Sequence, residues 1–296
     1  MIEKKNIKIA VASGKGGTGK TLISTNLYYS LLQTGIDVTL IDCDAEEPNA
    51  VSFFDTDLEK SIEVTQKVPV IDIQSCTFCG ACKDYCNYNA IFLLPAYKII
   101  KVIEDLCHGC GACTVACQSE AITEKDVSLG SVIRYQTNGR GRIFESRMNV
   151  GVFSPVLVIK KAIKEAGDEG IVIMDSPPGT SCPFIQTVSK ADYVVLVTEP
   201  TPFGLSDLKQ SVETLKTMDK MYGVIVNRAG LGDHGVYDYL LEEGIPLLME
   251  IPFDKKIASL YSKGEIVVKT NSRLQEEFID LYQSIIRING NSNHQR

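Results

Sequence analysis

A glycine-rich segment near the start of the chain constrains its fold more than any other feature. Its sequence is Ser13-Gly14-Lys15-Gly16-Gly17-Thr18-Gly19-Lys20-Thr21, which matches the phosphate-loop pattern at Gly14, Gly19, Lys20 and Thr21. The apolar run before it predicts a short buried strand over residues 7–12, and the pattern after it predicts an amphipathic helix over residues 20–34. A strand, a loop and a helix in this order argue against a chance match. The sequence therefore predicts a nucleoside triphosphate site.

The residue types of this loop suit the binding of phosphate groups and magnesium. Glycines let backbone N–H groups curl around phosphate oxygens at the start of the following helix. Lys20 supplies a positive charge to the β- and γ-phosphates, and the Thr21 hydroxyl can ligate Mg²⁺. The residues that we assign to nucleotide binding here are Gly14, Lys15, Gly16, Gly17, Thr18, Gly19, Lys20 and Thr21.

The position of Lys15, directly after the first glycine, indicates one class of nucleotide-binding protein. The loop Lys-Gly-Gly-Thr-Gly-Lys-Thr resembles the deviant Walker A motif of the MinD/ParA/nitrogenase iron protein class of ATPases. The resemblance implies ATP and Mg²⁺ as cofactors and catalytic roles for Lys15 and Lys20. It also implies an ATP-dependent homodimer, because in that class the signature lysine reaches across to the nucleotide of the facing subunit.

Two aspartates follow a second apolar run, which predicts a buried strand over residues 37–42. Asp42 and Asp44 stand at the carboxyl end of that strand, the edge at which parallel sheets bind ligands. A solvated, turn-forming Asp-x-Asp is the alternative. The segment 42–49 resembles switch I of MinD-like ATPases, which implies that Asp44 handles the attacking water and that Asp42 is a Mg²⁺-side carboxylate. We expect Cys43 to be a small buried side chain and not a ligand.

Eight of the ten cysteines fall within residues 76–117 and form an internal repeat. The first four, Cys76, Cys79, Cys82 and Cys86, have C-x2-C-x2-C-x3-C spacing, and Cys107, Cys110, Cys113 and Cys117 repeat it 31 residues later. Alignment of residues 76–91 on 107–122 gives eight identities in sixteen positions. The repeat predicts a duplicated module that interrupts the nucleotide-binding fold, with an ATPase segment at 1–63, the insert at 64–127 and a second ATPase segment at 128–296.

This spacing suits iron–sulfur clusters, because three thiolates on a tight loop reach three irons while the fourth points into the other half. The pattern resembles two-cluster bacterial ferredoxins. Carried over, the resemblance implies one [4Fe-4S] cluster on Cys76, Cys79, Cys82 and Cys117, and another on Cys107, Cys110, Cys113 and Cys86. Zinc is the alternative, although it does not explain a fourth cysteine at fixed offset. The chain departs from ferredoxins in having Asn87 and Gln118 where proline usually follows the fourth cysteine.

A third apolar run, over residues 171–174, predicts a strand that ends at Asp175 and is followed by Ser-Pro-Pro-Gly-Thr. A carboxylate there can hold the Mg²⁺ shell, and the Gly179 amide is expected to be free to sense the γ-phosphate. The segment Asp-x-Pro-Pro-Gly resembles Walker B and switch II of the same ATPase class. Cys182 lies three residues further on, and we expect it to be packed in the interior, with a metal site shared across a dimer as the alternative.

Two later strand ends predict which residues contact the base of the nucleotide. Asn227 and Arg228 end a predicted strand at 222–227 and resemble the adenine-reading Asn-Arg of MinD-like proteins. The segment Ile-Pro-Phe-Asp at 251–254 resembles the second base-facing loop, which implicates Pro252 and Asp254. Further predicted elements are a hairpin of residues 132–136 and 142–146 around Thr137-Asn138-Gly139, helices at 154–166, 202–219 and 272–288, and a strand at 193–198.

Composition limits the classes of partner. The net charge of −7 gives no general reason to expect nucleic-acid binding, and no apolar run approaches the ~18 residues that span a bilayer. The last predicted helix carries Glu276, Glu277 and Asp280, which does not suit a basic membrane-binding tail. Ten cysteines without an export signal favour metal or redox chemistry over disulfides. We therefore expect a cytoplasmic protein that binds neither nucleic acid nor membrane.

These features predict an α/β fold, a doubly wound and mostly parallel P-loop NTPase sheet with a small inserted α+β ferredoxin domain. Three functions remain open. The first is an ATPase in which nucleotide state controls electron transfer through two clusters to a redox partner. The second is an iron–sulfur cluster or metal carrier that serves a client in cofactor assembly, against which a full set of ligating cysteines argues. The third is a MinD/ParA-like switch whose clusters are structural or sensory.

Overall fold

The computed structural model describes residues 6–137 and 141–292, and its elements alternate between strands and helices along most of the chain. The amino-terminal elements are β1 (Ile7–Ala12), α1 (Lys20–Gln33), β2 (Val38–Asp42) and β3 (Thr56–Ile71). The cysteine-rich segment contributes α2 (Ala81–Asp84), β4 (Ile91–Leu94), β5 (Ile99–Val102), α3 (Ala112–Ala116) and β6 (Ile122–Thr137). The remainder contributes β7 (Arg142–Met148), α4 (Val156–Ala166), β8 (Ile171–Asp175), α5 (Cys182–Val188), β9 (Tyr193–Thr198), α6 (Pro202–Thr217), β10 (Tyr222–Ala229), α7 (Gly235–Glu242), β11 (Leu247–Pro252), α8 (Lys255–Ser262) and α9 (Ser272–Ser292).

Nine strands form one sheet in the order β11-β10-β9-β1-β8-β2-β7-β6-β3. The pairs from β11 through β7 are all parallel, and β1 lies between β8 and β9 at the centre. The central strands β2, β8 and β9 of the sheet are buried along their whole length, because helices cover both faces of the sheet, as is typical of parallel sheets. The prediction of a mostly parallel sheet is therefore confirmed.

The largest apolar cluster lies on one face of this sheet, where α1 and α9 pack together against the strands. The predicted helix after the loop is present, but α1 is less amphipathic than expected because it is buried nearly all round. Its polar side chains bond to the backbone, as when Asn26 donates to the Leu22 carbonyl and accepts from the Val268 amide. These bonds satisfy polar groups that would otherwise be costly to bury.

The chain forms two compact units, and two of the boundaries between them fall inside the long strands β3 and β6. Within the described residues, the larger unit comprises 6–62, 132–137, 141–147 and 156–292. The smaller unit comprises 63–131 and 148–155. Its small apolar core combines aliphatic side chains with cysteines, namely Ile71, Cys76, Phe78, Cys82, Ile91, Leu93, Ile100, Cys113, Cys117 and Ile122. The two-stranded antiparallel sheet β4–β5 belongs to this unit.

Several predicted boundaries shift in the structure. The helix expected from residue 154 begins at Val156, after Pro155, and Gly167 at φ 80° follows its end. The two predicted hairpin strands lie in β6 and β7, which are neighbours in the sheet, whereas Asn138 and Gly139 of the predicted turn lie outside the described residues. The sequence interpretation did not include the 16-residue strand β3. No helix in the described part of the chain is long and apolar enough to cross a membrane.

Candidate functional site

A cavity of about 530 Å³ opens in the larger unit where the carboxyl ends of its parallel strands meet. This volume lies within the range of small-molecule sites, roughly 300–1,000 Å³. Ten of the residues predicted from sequence line it: Gly16, Gly17, Gly19, Lys20, Thr21, Asp44, Asn227, Arg228, Pro252 and Asp254. Residues from four separate parts of the chain thus meet at one cavity, as the strand-end argument predicts.

The phosphate loop is packed tightly and leaves no room for side chains at two glycines. A Cβ on Gly14 would lie 2.4 Å from the Asp207 carbonyl oxygen. Gly19 has φ 99°, and a Cβ there would lie 2.4 Å from Nδ2 of Asn227. That Nδ2 donates to the Thr18 carbonyl oxygen at 2.8 Å. The loop conformation is therefore constrained by its neighbours.

Lys20 begins α1 and is buried beside acidic groups at the head of the cavity. Burial lowers the pKa of its ammonium group, while the negative charges of Asp175 and Asp44 oppose that shift. A buried ammonium held by carboxylates can transfer its attraction to phosphate oxygens, which carry more negative charge. The position and environment of Lys20 fit the predicted phosphate contact.

Three carboxylates occupy one row across neighbouring strands at this edge of the sheet. The strand register places Asp42 beside Asp175 of β8 on one side and beside Glu145 of β7 on the other. Burial raises the pKa of Asp175 to about 6, against the hydroxyls of Thr21 and Ser24 and the charge of Lys20. One buried oxygen of Asp175, Oδ1, has no hydrogen-bond partner. An unpartnered buried carboxylate oxygen beside a threonine hydroxyl fits the oxygen ligand set that Mg²⁺ prefers.

Asp42 has a different environment from the one predicted. Its Oδ2 accepts hydrogen bonds from the amides of Asn49 and Ala50, each at 2.8 Å, and its Oδ1 accepts from the Asp44 amide at 3.1 Å. Burial, followed by the neighbouring Asp175 charge, raises the pKa of Asp42 well above its usual value. Its carboxylate therefore holds the loop over residues 44–50 in place, and the direct contacts of its oxygens are to that loop.

Asp44 was predicted from sequence to handle the attacking water. It is partly exposed and lines the cavity next to Lys20. Burial raises the pKa of its carboxyl, while a backbone hydrogen bond from Glu47 and the charge of Lys20 oppose this. Glu47 and Asn49 from the same loop also line the cavity, although the sequence interpretation gave them no role.

Two expectations for the segment after β8 are wrong. The Gly179 amide is not free, because it donates to the Ser13 carbonyl oxygen at 3.1 Å and so ties this segment to the phosphate loop. Cys182 is exposed and not packed, because it lies at the surface in the first turn of α5, after the helix cap Ser181. The corresponding expectation for Cys43 is confirmed, since this thiol is fully buried and burial raises its pKa.

A buried glutamate that the sequence interpretation missed connects Lys15 and Arg228. Glu199 follows β9, and its Oε1 lies 2.6 Å from Nη1 of Arg228. Its Oε2 lies 3.9 Å from Nζ of Lys15. Arg228 adopts a left-handed backbone at φ 56°, and its amide donates to Oδ1 of Asn227. The position of Glu199 at a strand end is a signal that could have identified it, since Asp42 and Asp175 were predicted in the same way.

The wall contributed by α8 is the part of the cavity that no sequence motif indicated. Its residues Ile257, Ala258 and Tyr261 line the cavity together with Phe253. Burial raises the pKa of the Tyr261 hydroxyl, and its interaction with the Thr21 side chain opposes that rise. The Tyr261 ring also lies 5.1 Å from the ring of Phe53, centroid to centroid. Amphipathic helices are common, so the pattern of α8 gave no reason to place it at a ligand.

In the smaller unit, the eight repeated cysteines divide between two pockets. The first pocket is lined by Cys76, Cys79, Cys82 and Cys117, and the second pocket by Cys86, Cys107, Cys110 and Cys113. Each pocket thus takes three cysteines from one half of the repeat and one from the other. The short helices α2 and α3 carry the third cysteine of each half, Cys82 and Cys113. Each helix is preceded by a glycine with a left-handed backbone, Gly80 at φ 91° and Gly111 at φ 71°.

The thiols of both pockets lie in partly apolar surroundings. Burial raises the pKa values of Cys82, Cys107 and Cys113, whereas a hydrogen bond from the Ala81 amide lowers the pKa of the exposed Cys79. Among the described residues, no three histidine, cysteine or acidic side chains converge closely enough to hold one metal ion. A four-iron cube presents separate corners, so its ligands surround it instead of converging on one point. The donor set and its arrangement around each pocket fit such a cluster.

Comparison with known proteins relates most of the chain to one family. The family model described as the CobQ/CobB/MinD/ParA nucleotide binding domain matches residues 9–268. An uncharacterized protein of Methanocaldococcus jannaschii is 33% identical over 271 residues, covering 89% of this chain and 92% of that protein. The iron-sulfur cluster carrier protein of Pyrococcus horikoshii is 24% identical over 307 residues, covering 96% of this chain and 87% of that protein.

Solved structures share the fold. The septum site-determining protein MinD of Pyrococcus horikoshii, complexed with Mg-ADP, has a TM-score of 0.59 and 20% identity, covering 96% of this chain and 97% of that chain. The cell division ATPase MinD of Pyrococcus furiosus has a TM-score of 0.58 and 19% identity, covering 96% and 100%. These similarities show a MinD-like P-loop NTPase fold.

Proposed function

The chain belongs to the CobQ/CobB/MinD/ParA nucleotide-binding family, and we propose that it is a Mg²⁺-dependent ATPase that carries iron–sulfur clusters for cofactor assembly. The proposal assigns residues 1–63 and 128–296 to the ATPase and residues 64–127 to an inserted ferredoxin-like domain with two [4Fe-4S] clusters. A single observation carries it: the division of eight cysteines into two pockets of four, in the same chain as a complete nucleotide cavity.

In the nucleotide site, each residue has a role that follows from its place. Lys20 would bind the β- and γ-phosphates, and Thr21 and the unpartnered oxygen of Asp175 would hold Mg²⁺. Asp44 would position the attacking water, since it is the partly exposed carboxylate that lines the cavity beside Lys20. Arg228 would contact the base side of the nucleotide.

In the smaller unit, the thiolates would bind the iron of two clusters. The chemistry that such clusters supply when bound is one-electron transfer or, if they are released, delivery of iron and sulfide to another protein. Cys76, Cys79, Cys82 and Cys117 would hold one, and Cys86, Cys107, Cys110 and Cys113 the other. The fit of the donors around each pocket supports this assignment over zinc.

The carrier role is preferred because of the relatives. Proteins named iron-sulfur cluster carrier match over 95–96% of this chain, from Pyrococcus horikoshii to Aquifex aeolicus. The partner would then be a client protein that lacks its cluster. We further propose a homodimer that forms with ATP, in which Lys15 leaves Glu199 and contacts the nucleotide of the facing subunit.

Electron transfer to a redox partner is the second candidate, and the complete ligand sets favour it. With four cysteines around each pocket, no corner of a cluster needs a ligand from a client. Clusters held in this way are suited to remain in place and to shuttle electrons. The two candidates make opposite predictions about retention of iron in the presence of a client.

The experiment that tests the proposal is anaerobic purification, measurement of iron and sulfide, and incubation with an apo-ferredoxin acceptor, with and without MgATP. A carrier should lose iron and sulfide to the acceptor, faster or slower with MgATP than without it. A Lys20→Ala variant serves as control, because it should keep its clusters but lose the MgATP effect. Stoichiometric zinc without sulfide contradicts the cluster assignment, and full retention of iron and sulfide supports electron transfer instead.

A further inference from the structure

The internal repeat allows the two cysteine pockets to be compared position by position. With residues 76–91 aligned on 107–122, Thr77 corresponds to His108 and Tyr88 corresponds to Ser119. Each pocket receives one member of each pair. The first pocket is lined by Thr77 and Ser119, and the second pocket by His108 and Tyr88. The ligand pattern is repeated, but the side chains beside the ligands are not.

In the second pocket, two aromatic rings meet across the two halves of the repeat. The rings of Tyr88 and His108 are stacked, with centroids 3.8 Å apart and an interplanar angle of 14°. Tyr88 is two residues after Cys86, and His108 directly follows Cys107. The stack therefore ties the segment that supplies the single cysteine from the first half to the loop that supplies three cysteines from the second half.

The first pocket has no such tie among its described residues. The Ser119 hydroxyl lies 3.5 Å from the sulfur of Cys117, which is only two residues earlier in the same half of the repeat. Thr77 is exposed. Phe78 also lines this pocket, but it packs against the aliphatic core of the unit, and its counterpart in the second half is Gly109. The segment that carries Cys117 is thus held without a ring stack.

Release of a cluster is a ligand exchange that begins when one thiolate detaches. Each bond from iron to a cysteine of this chain is replaced by a bond to an acceptor ligand, the thiolate that is left behind takes up a proton, and no electron changes hands. Of the four cysteines around a pocket, three share one tight loop and the fourth comes from the other half of the repeat. This fourth cysteine can detach most easily, because it is not held by that loop. Whatever holds that segment therefore sets the rate at which the pocket opens.

We propose that the Tyr88–His108 stack makes the second pocket the site that retains its cluster and leaves the first pocket as the site that exchanges. This inference rests on the proposed binding of two clusters. It also accounts for a chain that has complete ligand sets and yet resembles carriers, because one cluster would be delivered and the other kept. An aromatic pair of this kind corresponds to a difference of about 2- to 10-fold in the rate of opening.

The test follows release of iron to excess EDTA from the anaerobically loaded protein, through loss of its iron–sulfur absorbance. The wild type should lose its clusters in two phases of equal amplitude. The double variant Tyr88→Ser with His108→Thr gives the second pocket the residues of the first, and its slow phase should approach the fast one. The reciprocal variant Thr77→His with Ser119→Tyr should slow the fast phase and leave the slow phase unchanged.

Two further variants separate stacking from a general effect on folding. Tyr88→Phe retains a ring and should retain the slow phase, whereas Tyr97→Ser removes an exposed ring that lines neither pocket and should change neither phase. Single-phase release from a fully loaded wild type overturns the inference, and so does a slow phase that survives Tyr88→Ser with His108→Thr. A protein that binds no iron and sulfide under any condition overturns the proposed function and this inference with it.

Discussion

Replacement of Asp175 by asparagine should stabilise the protein when no magnesium or nucleotide is present. Asp175 is fully buried, and burial raises its pKa from 3.8 to about 6. At neutral pH the wild type therefore holds a buried negative charge next to Asp42. Asparagine keeps the size of the side chain and removes the charge.

The size and the pH dependence of this effect follow from the pKa. The folded-state pKa is above the unfolded one, so the folded protein binds more protons between about pH 4 and pH 6, and the stability of the wild type falls as pH rises through that window. This rise in the pKa of Asp175 corresponds to about 3 kcal/mol in the free energy of unfolding. The pKa of about 6 is the net result of burial and of the opposing contacts with Thr21, Lys20 and Ser24, so we expect Asp175→Asn to add about 1–3 kcal/mol at pH ~7.5 and close to nothing at pH ~4.

The assay is urea unfolding of wild type and Asp175→Asn in EDTA across this pH range, with the midpoints compared. Addition of MgATP should reverse the order of stability, because ligand binding adds about 2.7 kcal/mol to the wild type at a hundredfold excess over Kd and little to a variant that lacks a Mg²⁺ ligand. If Asp175 holds Mg²⁺ as proposed, the buried charge that this role requires reduces stability in the absence of the metal.

Asp126→Asn is a matched control, for which we expect the opposite effect on stability. Asp126 is exposed, and its hydrogen bond to Lys67 lowers the pKa of its carboxyl. Asp126→Asn should therefore slightly destabilise the protein at a pH above the pKa of Asp126 in the unfolded chain. It should have no such effect at a pH below the pKa of Asp126 in the folded protein. If Asp175→Asn unfolds at lower urea than the wild type at neutral pH in EDTA, or if its effect does not vary with pH, then the pKa of Asp175 is not raised in the folded protein.

Three more predictions concern the nucleotide, the clusters and the dimer. Lys20→Ala should weaken ATP binding about 10- to 100-fold, whereas Asp44→Ala should keep ATP binding, measured by calorimetry, and lower turnover by about 10²- to 10⁴-fold; wild-type turnover in Asp44→Ala contradicts its assignment. Cys82→Ser should lose one of two clusters by iron and sulfide analysis, and Cys182→Ser, at an exposed position outside both pockets, should lose neither. MgATP should double the mass by light scattering, and Lys15→Ala should prevent this; a monomer in both proteins removes the basis for a nucleotide-gated dimer.

The larger unit was predictable because its signals are local and repeated. β1, β8 and β9 are runs of apolar residues that end in polar or glycine-rich segments, which is the pattern of buried parallel strands. The long strands β3 and β6 were not predicted as such, because charged residues interrupt them and much of their length is exposed. Their pairing is a tertiary interaction, which a short window of sequence does not contain.

The site was predictable where function depends on residue type and not where it depends on packing. Glycine, lysine and aspartate at fixed positions identify the phosphate loop and the strand ends, and the structure brings most of them to one cavity. Tyr261 could not be found, because its contact with Thr21 arises from the placement of a helix more than 200 residues away in sequence. The occupied amide of Gly179 was missed for the same reason, since its partner is a backbone carbonyl of Ser13.

The hydrogen bonds of Asp42 connect the proposed magnesium site to the loop that carries Asp44. Asp175 lies beside Asp42 in the sheet, and burial, followed by the negative charge of Asp175, raises the pKa of Asp42. A cation held by Asp175 offsets that charge, which favours the ionised form of Asp42. An ionised carboxylate accepts hydrogen bonds about twice as strong as neutral ones, and the donors to Asp42 are the amides of Asp44, Asn49 and Ala50. Binding of Mg²⁺ would therefore tighten the same loop that, under the proposed function, presents the Asp44 carboxylate to the attacking water, so the metal and this loop would be assembled together through one buried aspartate.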